Sequence, residues 1–149
     1  MATGSRGPRT LATIVIVVGA IMVIAGGVTW FLVRDQLVAE NITVSDDADF
    51  LAGDEVDGPF SAYAQADVIN KHALEATGGK TYAELEQDDP VRETAMSASF
   101  LRASLYTSVV AFGVAVMAGA IGVVFILIGL ALMSVAKATA YAASTRTGV

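Results

Sequence analysis

Two runs without a single charged side chain, Leu11 to Val33 and Leu105 to Val135, constrain this chain more than any other feature. The hydrocarbon core of a bilayer is about 30 Å thick and takes roughly 20 apolar residues to cross as a helix. Runs of 23 and 31 residues both suffice. All fifteen Asp and Glu lie between them, and each end carries two cations and no acid: Arg6 and Arg9 before the first run, Lys137 and Arg146 after the second. The middle, Arg34 to Ser104, sets fifteen acids against Arg34, Lys71, Lys80, Arg92 and Arg102, a net charge of −10. Lys and Arg in short flanking segments stay in the cytoplasm, whereas acids contribute little to orientation.

The expected fold is therefore an all-α plasma-membrane protein, a two-helix transmembrane hairpin with an acidic, mostly helical extracytoplasmic loop domain. Residues 1–10 form a cytoplasmic N-terminus, 11–33 the first transmembrane helix, 34–104 the extracytoplasmic domain, 105–135 the second transmembrane helix and 136–149 a cytoplasmic tail. The first run could instead be a signal peptide, because Arg9 precedes it and Val23-Ile24-Ala25 loosely fits a cleavage site. Its continuation through Trp30, Phe31, Leu32 and Val33 exceeds a signal core and favours an uncleaved anchor. Trp30 and Tyr106 are expected at the outer interface, and Arg34 with Asp35 at the close of the first span.

About seventy residues remain for the outer domain, close to the size at which a core alone supplies little stability. There is no cysteine, which excludes disulfides, a lipoprotein anchor, thiolate metal sites and cysteine nucleophiles. The acidic balance argues against nucleic acid and anionic surfaces as partners of this domain and favours a basic one.

Within the domain, Gly58-Pro59 precedes Ser61 to Thr77, where Tyr63, Ala66, Ile69, Ala73 and Leu74 recur at helical spacing and Gly78-Gly79 supplies a stop. Asp67, Lys71 and Glu75, four apart, mark its wet face. Thr81-Tyr82-Ala83-Glu84 has the pattern of a capping box and opens one short turn. Asp89-Pro90 reads as a helix start, followed by Phe100, Leu101 and Leu105 at helical spacing. One long helix is expected from about Pro90 to about Lys137, its first four turns outside the membrane. Asn41 to Gly58 is acidic and irregular, with Ile42 to Val44 as its strand-like fragment.

Small residues recur every seven positions, Ala12, Gly19 and Gly26 in the first run and Ala115, Gly122 and Gly129 in the second. Seven residues are nearly two turns, so each set lines one helix face and permits close backbone approach. Ala115 with Gly119 and Ala118 with Gly122 add small-xxx-small pairs. These faces are expected to pack on each other, with Gly27, Gly113 and Gly119 left over for a larger partner.

No catalytic pattern is complete. Gly79-Lys80-Thr81 ends like a phosphate-binding loop, but Leu74 stands where the first glycine is required. Ser134 and Lys137 match Ser-x-x-Lys without its companion motifs, and Lys137 is placed to snorkel at the cytoplasmic interface. His72 is the one histidine, too few for the usual hydrolytic or iron site; a surface position, pH sensing or partner contact are the readings open to it. Asp46, Asp47, Asp49, Asp54, Glu55 and Asp57 invite calcium, yet an EF-hand loop begun at Asp47 puts Leu51 at a ligand position and Ala52 at the glycine. Neither run holds an Asp, Glu, Lys, Arg or His side chain or a proline, as transport or proton relay generally requires.

Asp57-Gly58-Pro59-Phe60-Ser61-Ala62-Tyr63-Ala64-Gln65-Ala66-Asp67, Gly79-Lys80-Thr81-Tyr82-Ala83-Glu84-Leu85 and Ser99-Phe100-Leu101-Arg102-Ala103-Ser104-Leu105 resemble segments of a family of small actinobacterial two-span membrane proteins. The resemblance extends from Ile42 to Ala115. Members are commonly labelled aromatic ring-opening dioxygenase, which implies cleavage of a catechol-like ring by iron held on two histidines and a glutamate in a soluble fold. His72 is the one histidine here that could serve.

The expected function is a non-enzymatic accessory or docking subunit of a larger integral membrane complex, a respiratory assembly being the first candidate, with no cofactor and no nucleic acid. Ala12, Gly19, Gly26, Ala115, Gly119, Gly122 and Gly129 are the expected helix-packing or partner-contact residues. Tyr63, Ile69, His72 and Tyr82 are expected to contact a partner outside the membrane, a basic extracytoplasmic protein being the candidate. The alternatives are the oxygenase of the family label and a stand-alone sensor of pH or cations.

Overall fold

A computed structural model describes the backbone of residues 6–146 and the side chains of 7–142. The side chains of Arg6 and Arg146, half of the orientation signal, lie outside the described residues. Three α-helices are described, α1 (Arg6–Ala39), α2 (Pro59–Ala76) and α3 (Arg92–Arg146), with a 3-10 turn at Tyr82–Glu84 between the last two. α1 and α3 are long and apolar enough to cross a membrane, with mean hydropathy 2.7 in their most apolar windows, of which 17% is buried. A core helix of a soluble protein is mostly buried. Here Ile14, Ile21, Ile24, Phe31 and Leu127 are all more than half exposed.

Two units make up the chain: one holds the described residues up to Val28 and from Ala115 onward, the other Thr29–Val114. In the first, the glycines bring two backbones together. A methyl group built on Gly19 would fall 2.5 Å from the Gly122 carbonyl oxygen, and one on Gly26 would fall 2.5 Å from that of Ala115. One on Gly129 would fall 2.9 Å from the oxygen of Ala12. Partner numbers fall along α3 as they rise along α1, so the helices run antiparallel. Ala12, Gly19 and Gly26 are buried, as are Ala115, Gly122, Gly129 and Ala136, at the seven-residue interval that keeps one face on the partner. Gly119 meets α1 through its backbone nitrogen, 3.1 Å from that methyl position on Gly26, while its own open side faces away; Gly27 and Gly113 face open space as well.

The second unit is built around Leu37, Val44, Val56, Ala62, Ala64, Ala66, Leu105 and Phe112. Trp30, expected at an interface, packs edge-on against Phe112 with ring centroids 4.6 Å apart. Arg34 and Asp35 do not end α1, which continues to Ala39; Arg34 instead turns its guanidinium to Asp57, 3.0 Å away. The irregular segment folds back through an antiparallel bridge between Thr43 and Glu55. The Val44 N–H donates to the Asp54 carbonyl and the Val56 N–H to that of Ile42. This closure carries Val44 and Val56 into the core, at 1% and 0% exposure.

α2 begins two residues earlier than the spacing indicates, with Pro59 in its first turn, where the missing N–H costs nothing. The Ser61 hydroxyl accepts from the backbone N–H groups of Asp57 and Gly58. Its end follows from Gly78 and Gly79, at φ +66° and +87°, which let the Gly79 N–H reach the Leu74 carbonyl. Its buried face differs from expectation. Ala62, Ala64, Ala66 and Val68 are buried, and at 100° per residue they occupy two opposite sides of the helix. Tyr63, expected on the apolar face, is 46% exposed. α2 is covered on both sides, and small alanines fit there where large apolar residues would not.

The Asp89 carboxylate accepts the Val91 N–H at 3.0 Å as α3 opens. Its far end lies nine residues beyond the expected stop at Lys137, consistent with the alanine-rich stretch that follows, since Ala is the strongest helix former.

Candidate functional site

An open cleft of about 570 Å³ lies in the second unit, lined by Ile69, His72 and Ala73 of α2 and by Glu93, Thr94 and Leu101 of α3. Residues four apart on a helix share a face, so Ile69 and Ala73 point the same way, as do Glu93 and Ser97, which also lines the cleft. The lining joins apolar side chains to an imidazole, a carboxylate and hydroxyls.

His72 is fixed from outside the cleft. Its Nε2 lies 2.8 Å from Asp47 Oδ2. Asp47 titrates at about 2, below its ordinary 3.8, first because of the His72 hydrogen bond and next through a hydrogen bond from the Ser45 side chain. An ionised carboxylate only accepts, so Nε2 carries the proton in this contact. Lys71 Nζ reaches the same oxygen at 3.5 Å, and the Ser45 N–H donates to Gln65 Oε1 at 2.9 Å. Three residues of α2 thus hold the loop after Val44.

The sequence-indicated contact residues do not converge. Ile69 and His72 share the cleft. Tyr63 lies between Phe50 and Tyr106, with centroids 6.3 and 5.9 Å away. Tyr82 lies under the Arg92 guanidinium, 4.1 Å from its ring centroid, while Arg92 donates to the carbonyls of Tyr82 and Leu85. Glu93, Thr94 and Leu101 were not singled out as contact residues; only their helical phase relative to Leu105 could have indicated them.

The acidic loop is partly self-neutralised, Asp47 facing His72 and Lys71 and Asp57 facing Arg34. Among the described residues no three His, Asp or Glu side chains gather as a metal site would require. The Thr81 donors of Gly79-Lys80-Thr81 are likewise engaged: its N–H and hydroxyl both bond Glu84 Oε2 at 2.8 Å, which holds the Glu84 carboxyl below its usual range. That is the local contact the capping-box spacing indicates.

The chain matches no protein-family model, no curated protein and no solved structure.

Proposed function

We propose that this chain is a non-enzymatic accessory subunit of a larger plasma-membrane complex, spanning the bilayer twice with both termini in the cytoplasm and presenting Arg34 to Ser104 outside as a docking domain. The α2–α3 cleft carries the reading. It is large, open and lined in good part by apolar side chains, and it belongs to a domain whose own core is small. Leu101, in its lining, is 53% exposed and neighbouring Phe100 is 67% exposed, the kind of apolar surface that marks contact sites. A net charge of −10 around it favours a partner with a basic outer face, since complementary charge steers association. A respiratory assembly, with its cationic electron carriers, is the first complex to examine.

A photoreactive residue at Ser97, in the cleft, tests the reading in intact membranes. Crosslinking to one larger membrane protein, suppressed by Leu101→Asp, is the expected result. A lone monomer in mild detergent with no crosslinked product would overturn it. Stoichiometric iron with ring cleavage that disappears in His72→Ala would replace it with the oxygenase reading.

A further inference from the structure

A second, smaller cavity differs in character from the cleft. It lies between the end of α2, the Lys80–Tyr82 connector and α3, and the residues with polar side chains in its lining are Asn70, Lys80, Thr81, Tyr82, Ser99 and Arg102. No carboxylate lines it, although this segment holds all fifteen acids of the chain. Arg102 Nε is buried without a hydrogen-bond partner among the described residues, while its guanidinium carbon lies 6.0 Å from the Tyr106 ring centroid. A buried donor left unpaired is costly, more so on a charged group.

We propose that this cavity binds one phosphate group, held by Arg102 and Lys80 with the Asn70 amide as a further donor. The size fits a single small oxyanion. The cavity measures about 40 Å³, where one water needs roughly 10–15 Å³, so it takes a group of a few heavy atoms. The chemistry fits as well, because a guanidinium offers several N–H donors in a fork matched to phosphate oxygens and an ammonium adds a point charge. Thr81 is not among the donors, its N–H and hydroxyl being held by Glu84. The Ser99 hydroxyl proton is given to the Ala95 carbonyl.

The phosphate can come from a lipid headgroup or from free phosphate. On the two-span reading above, Arg102 stands three residues before the apolar run at Leu105, about 4.5 Å along the helix, which is headgroup level. The lipid source rests on that reading; the phosphate chemistry does not.

The test uses the full chain in an uncharged detergent, titrated separately with inorganic phosphate and with phosphatidylglycerol, with diacylglycerol as the phosphate-free control. Saturable binding of one phosphate group per chain is expected, weakened about tenfold or more in Arg102→Gln and in Lys80→Gln, as for loss of charged hydrogen bonds. Binding of phosphatidylglycerol but not inorganic phosphate assigns a lipid headgroup; binding of both assigns a site open to either source, and binding of inorganic phosphate alone a free anion. Lys80 is exposed, so Lys80→Gln decides the matter if Arg102→Gln loses helicity. No saturation by either probe, or equal binding by diacylglycerol, overturns the proposal. So does wild-type affinity in Lys80→Gln, or in a folded Arg102→Gln. Failure of the two-span reading alone would leave the inorganic-phosphate result standing.

Discussion

His72 and Asp47, 25 positions apart in the chain, meet at 2.8 Å and fasten the acidic loop to α2. The Asp47 carboxyl, held at about 2 against an ordinary 3.8, takes up a proton less readily in the folded chain than in the unfolded one. Its contribution to stability is therefore fully present above the ordinary value and is lost as pH falls from there through about 2. Asp47→Asn should lower the melting temperature at about pH 6 and make much less difference near pH 2. Thermal melts followed by circular dichroism check this, and a difference that persists unchanged at the acid end would remove the carboxylate as its cause.

Close backbone contact at Gly19 makes a second expectation specific. Gly19→Ala places its methyl 2.5 Å from the Gly122 oxygen, so the helices must separate, at a cost of about 1–3 kcal/mol as for overpacking elsewhere. Gly27→Ala meets nothing within 4 Å and should cost nothing, or gain a few tenths of a kcal/mol or more from helix propensity. Stability in detergent of the two variants side by side provides the comparison; equal destabilisation would show that the close approach at Gly19 does not matter.

The seven-residue interval makes this face legible in the sequence, because small residues at a helix contact answer to a periodicity that sequence displays directly. α2 was harder to read. Its buried apolar residues are Ala62, Ala64, Ala66 and Val68 on opposite sides, a pattern produced by two coverings, while a single-face periodicity selects Tyr63. Val56, isolated among acids in the sequence, becomes a core residue only through its bond to the Ile42 carbonyl. His72 stood out as the one histidine, but nothing local indicates Asp47 as its partner. The Arg102 cavity was illegible for the same reason: Lys80 and Arg102 are brought together by a turn of the chain.

Arg92 fixes that turn. Its guanidinium covers Tyr82 at 4.1 Å and bonds the carbonyls of Tyr82 and Leu85. Arg92→Ala should release the connector, at about 1–3 kcal/mol for the carbonyls left unpaired and the stacking lost. Limited proteolysis would then cut between Tyr82 and Asp89 faster than in the wild type. Arg92→Lys keeps the charge without the planar fork and should rescue only part of the protection; full rescue would mean that charge alone holds the segment.

Phe112 is 1% exposed and meets Trp30 edge-on at 4.6 Å, so its truncation opens a void whatever surrounds the protein. In a water-soluble core, Phe→Ala costs about 3–5 kcal/mol, because the lost transfer from water adds to the cavity. On the two-span reading Phe112 lies in the bilayer, where lipid is as apolar as the protein interior and the transfer part is absent. Phe112→Ala should therefore cost less than about 3 kcal/mol in bilayer discs. Phe112→Leu, close to conserving volume, should cost less still, and Val110→Ala, at a position 64% exposed, should stay within about 0.5 kcal/mol. Reversible unfolding of the three variants in discs gives the ranking. The full water-referenced cost at Phe112 would place this level outside the hydrocarbon and move the start of the second span toward the C-terminal side of it.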